Sequence, residues 1–393
     1  MLILHNDFRV YWKGRLTYLK KFLNSKGIDF YAIELFGKGS PYSFDKYDNL
    51  EEWWTCLFPD RSVNEISVND LKDALYSKLD KINPDVIIGG SIVFFSGALG
   101  IRWAKHNKKR FIMFDDAKPS QIKRNFLVQW VKDIITKQID GLWLPSDEYD
   151  KEYSNLNKKT VHFFHGYNCI NNQLFNFPNN KDTIKKEIVC VARLVPVKNI
   201  DNLLRAWKVV EDKKTNYKLV IIGNGPEYDN LNKLSADLGL HEVSFPGVVK
   251  NDDIPRYFNA AGAFILPSLY ESWGLVVNEA MAAGLPVLLS NKVNACHALL
   301  DQEFNGFSFD PCNIKEIAEK IMKFIALDEK SKHEMAINSF KIINKMSYEN
   351  MGIQLSNALS HINEKIYNSP GIMAKVIINL WPGRYNTSGW DKL

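Results

Sequence analysis

The chain of 393 residues has few cysteines and none of them in pairs. Its five, Cys56, Cys169, Cys190, Cys296 and Cys312, show neither a CxxC motif nor the spacing of metal ligands. An odd number scattered over so long a chain argues against a disulfide framework and fits a reducing, cytoplasmic compartment. Cys190 sits in an apolar run and reads as packing rather than chemistry. Long apolar runs are missing too. Nothing approaches the roughly 18 residues that cross a bilayer, and the opening Met-Leu-Ile-Leu is too short for a signal-peptide core. One-sided charge is also absent: 50 Lys and Arg against 45 Asp and Glu leave a net +5. That excess suits a nucleotide, a lipid phosphate or an anionic membrane surface, and falls short of a dedicated nucleic-acid binder.

What is present is a soluble, globular composition, 46% apolar and 24% charged, at a length that predicts two domains. Short apolar runs at residues 2–5, 28–36, 85–89, 110–114, 141–145 and 161–165 read as buried strands. Helical-period stretches at 16–24, 68–82 and 121–138 lie between them. The rhythm resumes with runs at 188–193, 219–223, 243–245, 263–267, 287–290 and 306–309, and helical stretches at 200–210 and 228–238. Alternation of this kind predicts an α/β chain of two Rossmann-like, doubly wound domains. The Asn-rich stretch 171–183 reads as the linker. It divides an N-terminal domain (1–170) from a C-terminal one (184–346). Ligands of such sheets bind beyond the carboxyl ends of strands, so a central cleft faced by both domains is the expected place for chemistry.

The most informative block runs from Pro267 to Val287. A strand ends near Pro267, a loop carries Glu271, and Gly274 opens a helix that Gly284 closes. Glu271 and Glu279 are eight apart, one on the loop and one in the helix, so both can face one ligand. The backbone N–H groups of Gly274, Leu275 and Val276 form a helix N-terminus suited to sugar or phosphate oxygens. Singly, Glu271 reads as a charge that favours a helix start and Glu279 as a solvated helix charge; the ordered surroundings, Trp273-Gly274 and Ala280-Met-Ala-Ala-Gly284, set the pair apart. Upstream, Arg193 and Lys198 are five apart at a strand-to-helix turn, where two cations can grip a diphosphate or stand as surface charges.

The block from Glu271 to Glu279 resembles the E-x7-E signature of family 4 of the retaining glycosyltransferases, a family of GT-B architecture. The resemblance is strong over roughly 187–310 and thins after residue 369. It implies that Glu279 holds the donor ribose, and that Glu271 contacts the donor sugar as charge develops at its anomeric carbon. It also implies that Arg193 and Lys198 neutralise the departing diphosphate, and that the 274–276 amides hold sugar hydroxyls or phosphate. Gly223, in Ile-Gly-Asn-Gly-Pro, and Val249, after Phe245-Pro-Gly, fall where the family lines its nucleotide site. Residues 347–368 resemble its terminal helix, which crosses back to the first domain, leaving 369–393 as a tail. The implied function is transfer from a nucleotide-diphosphate sugar to a glycan or lipid-linked acceptor in bacterial surface-polysaccharide synthesis. No cofactor and no metal are expected, since side-chain cations serve the leaving group.

The first domain departs from that pattern. Where the family often has a Gly-Gly pair after the first strand, this chain has Asn6-Asp-Phe-Arg-Val-Tyr-Trp-Lys13, with only Gly14 nearby. Where many members have a histidine after the fourth strand, it has Phe114-Asp115-Asp116; Asp115 reads as a sugar contact or as a cap on the next helix. An aromatic-rich stretch at 39–61 (Tyr42, Phe44, Tyr47, Trp53, Trp54, Phe58) reads as a packed loop or an acceptor platform. The stretch 118–137 carries Lys118, Lys123, Arg124, Lys132 and Lys137, and reads as a sheet-covering helix with a solvated basic face or as a weak contact with an anionic membrane. Two other functions fit the architecture: a sugar-nucleotide epimerase, and a non-catalytic carbohydrate-binding protein. Paired cations beside paired glutamates favour transfer over both.

Overall fold

The computed structural model describes residues 1–8, 11–38, 51–122, 125–175 and 185–383. The expectations placed on Tyr42, Phe44, Tyr47, Lys123, Arg124, most of the linker and the last ten residues lie outside these. The chain forms two compact units, Met1–Tyr167 with Tyr348–Lys392, and Asn168–Ser347.

The first unit is built on β1 (Leu2–His5), β2 (Tyr31–Phe36), β3 (Trp54–Phe58), β4 (Val86–Gly89), β5 (Arg110–Phe114), β6 (Gly141–Leu144) and β7 (His162–His165). They form one parallel sheet in the order β3-β2-β1-β4-β5-β6-β7. Its central strands are apolar without alternation because both faces are covered: Leu4, Ile88, Ile112 and Leu142 are wholly buried. The helices of its N-terminal part are α1 (Tyr11–Asn24), α2 (Val68–Ile82), α3 (Phe95–His106) and α4 (Phe126–Thr136). Local chemistry sets their limits. The Ser67 hydroxyl accepts from the Asp70 N–H at 3.1 Å to start α2, and Asn83 ends it in the left-handed region.

The second unit repeats the plan with β8 (Glu187–Val191), β9 (Lys218–Ile222), β10 (Val243–Gly247), β11 (Ala263–Leu266), β12 (Val287–Ser290) and β13 (Gly306–Phe309). The order is β10-β9-β8-β11-β12-β13, again all parallel. Its helices are α5 (Ile200–Asp212), α6 (Tyr228–Asp237), α7 (Ile254–Ala260), α8 (Leu275–Ala282), α9 (Cys296–Leu299), α10 (Ile314–Ala326) and α11 (Glu329–Ile343). Leu203, Trp207, Ile221, Ile265, Phe307 and Ile321 form its core with many others.

The chain then returns to the first unit as α12 (Tyr348–Glu364) and α13 (Ile372–Leu380). Two glycines let α12 lie close on α1. A Cβ on Gly352 would stand 2.9 Å from Phe22, and one on Gly14 2.3 Å from the Tyr348 hydroxyl. Buried charge fixes the following turn: Lys105 Nζ pairs with Asp140 at 2.7 Å and lies 4.8 Å over the Tyr367 ring, while Arg110 donates to the Lys365 carbonyl. Arg102 donates to the carbonyls of Ile378 and Trp381, pinning the far end of α13.

Two expectations are corrected here. The aromatic stretch is not simply a loop. Its second half forms edge strand β3, with Trp53 and Trp54 buried and Trp54 edge-on to Phe8 at 5.8 Å. Among its described residues, the basic face of 118–137 is solvated only at Lys137. Lys118 and Lys132 are buried, Lys118 lying 5.0 Å over the Tyr149 ring, and the residues α4 leaves exposed are apolar.

Candidate functional site

A doubly wound sheet reverses its winding direction at the strand pair where order breaks, and backbone diverges there to leave a crevice at the carboxyl ends. In the second unit that pair is β8 and β11. The turn after β8 carries Arg193 and Lys198, and the loop after β11 carries Glu271. The Lys198 ammonium is ion-paired with Glu271 Oε1 directly across this break, both side chains being mostly buried.

The backbone holds that pair in place. Asn199 takes the left-handed conformation (φ 57°), which asparagine tolerates better than most residues, and so turns the chain from Lys198 into α5. Its side-chain amide donates to the carbonyls of Pro267 at 3.1 Å and Pro311 at 2.8 Å, tying the β8 turn to the β11 loop. The Leu269 N–H donates to the Val197 carbonyl at 2.8 Å, a second tie. Ser268, fully buried, donates its hydroxyl to Glu271 Oε1 at 3.1 Å. Ser268 lies inside the block singled out from sequence and Asn199 directly follows the Arg193–Lys198 turn, yet nothing in residue order shows these hydrogen bonds. Beneath the pair, burial pushes the Cys190 thiol up to about 12, with Glu271 adding and Lys198 opposing. Cys190 therefore stays protonated and serves as packing.

Gly274 caps α8 with φ 99°, strained for any other residue, and a Cβ there would press to 3.3 Å from Val293. The helix start is fixed by Trp273, whose indole donates to Asn278 Oδ1 at 2.9 Å, and by Asn278, which donates to the Asn168 carbonyl at 2.9 Å. Leu275, Val276 and Glu279 are partly exposed around it. The loop after β9 packs directly on the Arg193 turn. Gly223 lies at φ 139°, and a Cβ on it would fall 1.9 Å from the Ala192 carbonyl oxygen. The Leu194 N–H donates to the Asn224 carbonyl at 2.9 Å. Val249 follows β10, partly exposed. The candidates of the second unit thus sit on loops after β8, β9, β10 and β11 and at the start of α8, with Glu279 one turn into that helix.

Asp115 stands in the first unit, after β5. Its Oδ1 accepts from the Ala117 N–H at 3.0 Å, closing a turn rather than capping a helix. It lines a small cavity of about 50 Å³ with Ser91, Lys132, Asp133 and Glu152. Where the resemblance places a Gly-Gly pair, the loop after β1 is filled with aromatics. Phe8 is fully buried with its N–H on Glu34 at 3.0 Å, and His5 stacks on Phe114 at 5.2 Å. Burial holds the His5 pKa below its ordinary value, with Asp7 opposing. Gly14 serves the packing of α1 on α12.

Known proteins bear on these two units. An uncharacterized glycosyltransferase of Methanocaldococcus jannaschii is 35% identical over 177 residues, 44% of this chain and 44% of that protein. A GDP-mannose-dependent alpha-(1-6)-phosphatidylinositol monomannoside mannosyltransferase of Mycobacterium tuberculosis is 31% identical over 146 residues, 35% of this chain and 38% of that one. The matched stretch thus spans less than half the length of either relative. Among solved structures, Anabaena HepE in complex with UDP superposes with a TM-score of 0.70 at 16% identity, covering 92% of this chain and 99% of that one. At that identity the likeness is one of fold, and with two parallel Rossmann-like sheets of seven and six strands the fold is GT-B. The stretch 171–341, which carries the Lys198–Glu271 pair and the start of α8, matches the family described as glycosyl transferases group 1.

Proposed function

We propose that this chain is a retaining, metal-independent glycosyltransferase, which moves a sugar from a nucleotide-diphosphate sugar to a glycan or lipid-linked acceptor in bacterial surface-polysaccharide assembly. The observation that carries the reading is the Lys198–Glu271 pair set across the β8–β11 break, beside the positive-φ glycine that opens α8. A cation and a carboxylate at that break suit two needs of the reaction. As the bond from the anomeric carbon to the diphosphate breaks, its electrons leave with the phosphate oxygen, and Arg193 and Lys198 meet that charge. Positioned charges of this kind lower a barrier by several kcal/mol. The anomeric carbon becomes electron-poor, and Glu271 faces it with negative charge. The acceptor hydroxyl forms the new bond and gives its proton to the departing phosphate.

Glu279 would hold the ribose hydroxyls, and the amides of Gly274, Leu275 and Val276 the sugar or diphosphate oxygens. Gly223 and Val249 would border the nucleotide, and Asp115 would supply a sugar contact from the first unit. The Mycobacterium relative uses GDP-mannose and HepE was solved with UDP, which supports a nucleotide-sugar donor without choosing its base. The test is a panel of UDP-, GDP- and ADP-sugars, scored by thermal shift and then by turnover, with the product anomer assigned by NMR. Donor conversion to another free nucleotide sugar without acceptor would make the protein an epimerase. Inversion at the anomeric carbon would remove the retaining assignment.

A further inference from the structure

In the first unit, α4 shows solvent a surface unlike that of an ordinary sheet-covering helix. Phe126, Leu127, Val128 and Trp130 are its exposed residues, Phe126 at 75% and Trp130 at 53%. The polar face is turned inward, with Lys132 buried and Gln129 donating to Asp133 at 2.7 Å. Packed beside it, α13 repeats the pattern with Ile372 at 85%, Leu380 at 76%, and Met373 and Val376 also exposed. The sequence of α13 contains no carboxylate, and its one charge is the exposed Lys375; Lys137, exposed, follows α4. These helices are firmly held. Arg102 fixes the carbonyls of Ile378 and Trp381, the Trp381 indole donates to the Ile92 carbonyl at 2.7 Å, and Asn368 donates to the Lys137 carbonyl at 3.4 Å.

We infer that the joined apolar faces of α4 and α13 insert into the surface of an anionic lipid bilayer. Three features select a lipid surface over a second copy of the chain. The side chains stand clear of the surface, their residues 43% to 85% exposed, which suits insertion between acyl chains better than close packing on another protein. The exposed charges on and beside the helices, Lys137 and Lys375, are cationic, matching lipid phosphates and repelling a like face. Trp130 adds the amphipathic ring that settles at a headgroup boundary. Among the described residues no helix is long and apolar enough to cross a membrane, so the contact is interfacial. This inference stands apart from the proposed chemistry, since it uses no residue of the second unit.

The test is flotation of the full chain with phosphatidylcholine vesicles, with and without phosphatidylglycerol, beside two double variants, Phe126→Ser with Trp130→Ser and Ile372→Ser with Leu380→Ser. All four positions are exposed, so melting temperature should hold. The parent should float with the anionic vesicles, and each double variant should lose partitioning by about tenfold or more. Brominated lipids should quench fluorescence in the parent and less so in Trp130→Phe. Lys137→Gln with Lys375→Gln should weaken binding and reduce its salt dependence while leaving apolar insertion measurable. Failure of the parent to float, or equal flotation of folded Ser variants, would overturn the inference. So would a concentration-dependent dimer that the Ser variants abolish in the absence of lipid.

Discussion

At the scale of residues, the pairing of Lys198 with Glu271 changes how mutants at the site should behave. The two side chains are in contact, so their effects cannot be independent. Glu271→Gln should lower kcat by roughly tenfold to a few hundredfold, the value of one charge-assisted contact. Lys198→Ala should cost at least as much, and the double variant should cost clearly less than the product of the two. Additive losses, from steady-state kinetics on folded proteins, would show that the pair does not act as a unit in the reaction. Glu279 lies on α8, apart from this pair in sequence, and its proposed hold on the ribose exists before and during transfer. Glu279→Gln should therefore raise the donor KM with little change in kcat, because uniform binding does not accelerate chemistry. A kcat loss there with unchanged KM would reverse the two assignments. Arg193→Lys should also reduce transfer, since a planar bidentate fork becomes a point charge; parental kinetics in that variant would leave Arg193 no bidentate role.

At the scale of elements, much of the plan was legible and particular pieces were not. Apolar runs such as Ile87–Ile88 and Leu288–Leu289 marked central strands because burial on both faces leaves no place for polar residues. Edge strand β3 escaped because among the described residues it pairs with β2 alone, so Trp54, Thr55 and Cys56 need not form an apolar run. The face of α4 was misjudged for a related reason: composition counts lysines, but only packing shows that Lys132 turns inward while Phe126 turns out. The site's residue types were readable from the Glu271–Glu279 spacing, whereas the ties made by Asn199 and Ser268 depend on the meeting of loops distant in sequence. One element contact has a pH consequence. On β7, His162 lies 4.3 Å from His361 of α12, ring to ring. Burial first, and then the charges of His361, Lys365 and His165, together lower the His162 pKa from 6.5 to about 4. Between those two values the unfolded chain binds the proton that the folded one refuses, so stability should fall as pH falls through that window. His162 is partly exposed, which keeps the effect small. His361→Gln should flatten the slope of melting temperature against pH there and leave the mildly alkaline value unchanged. An unaltered slope would assign the shift to burial alone.

At the scale of the whole molecule, two units with separate cores allow ligand effects to be located. The proposed donor contacts on the second unit come from loops after β8, β9, β10 and β11 and from the head of α8, all within Asn168–Ser347. A ligand that binds only the folded form stabilises it by about 2.7 kcal/mol at a hundredfold excess over its Kd. For a unit of this size that corresponds to a rise of about 5–10 °C in its melting transition. Hydrogen exchange with the matching nucleoside diphosphate should then slow amides along β8, β9, β11 and α8. It should leave β2 and β3 of the first unit near their unliganded rates, since the nucleotide portion has no proposed partner there. The variants discriminate further. Lys198→Ala should lose most of the protection, because the diphosphate loses a cation, whereas Asp115→Asn should keep it, because Asp115 is assigned to the sugar that the nucleoside diphosphate lacks. Protection confined to strands of the first unit would move the donor site off the β8–β11 break. Full protection in folded Lys198→Ala would remove the lysine from diphosphate recognition, leaving its pairing with Glu271 as a structural contact.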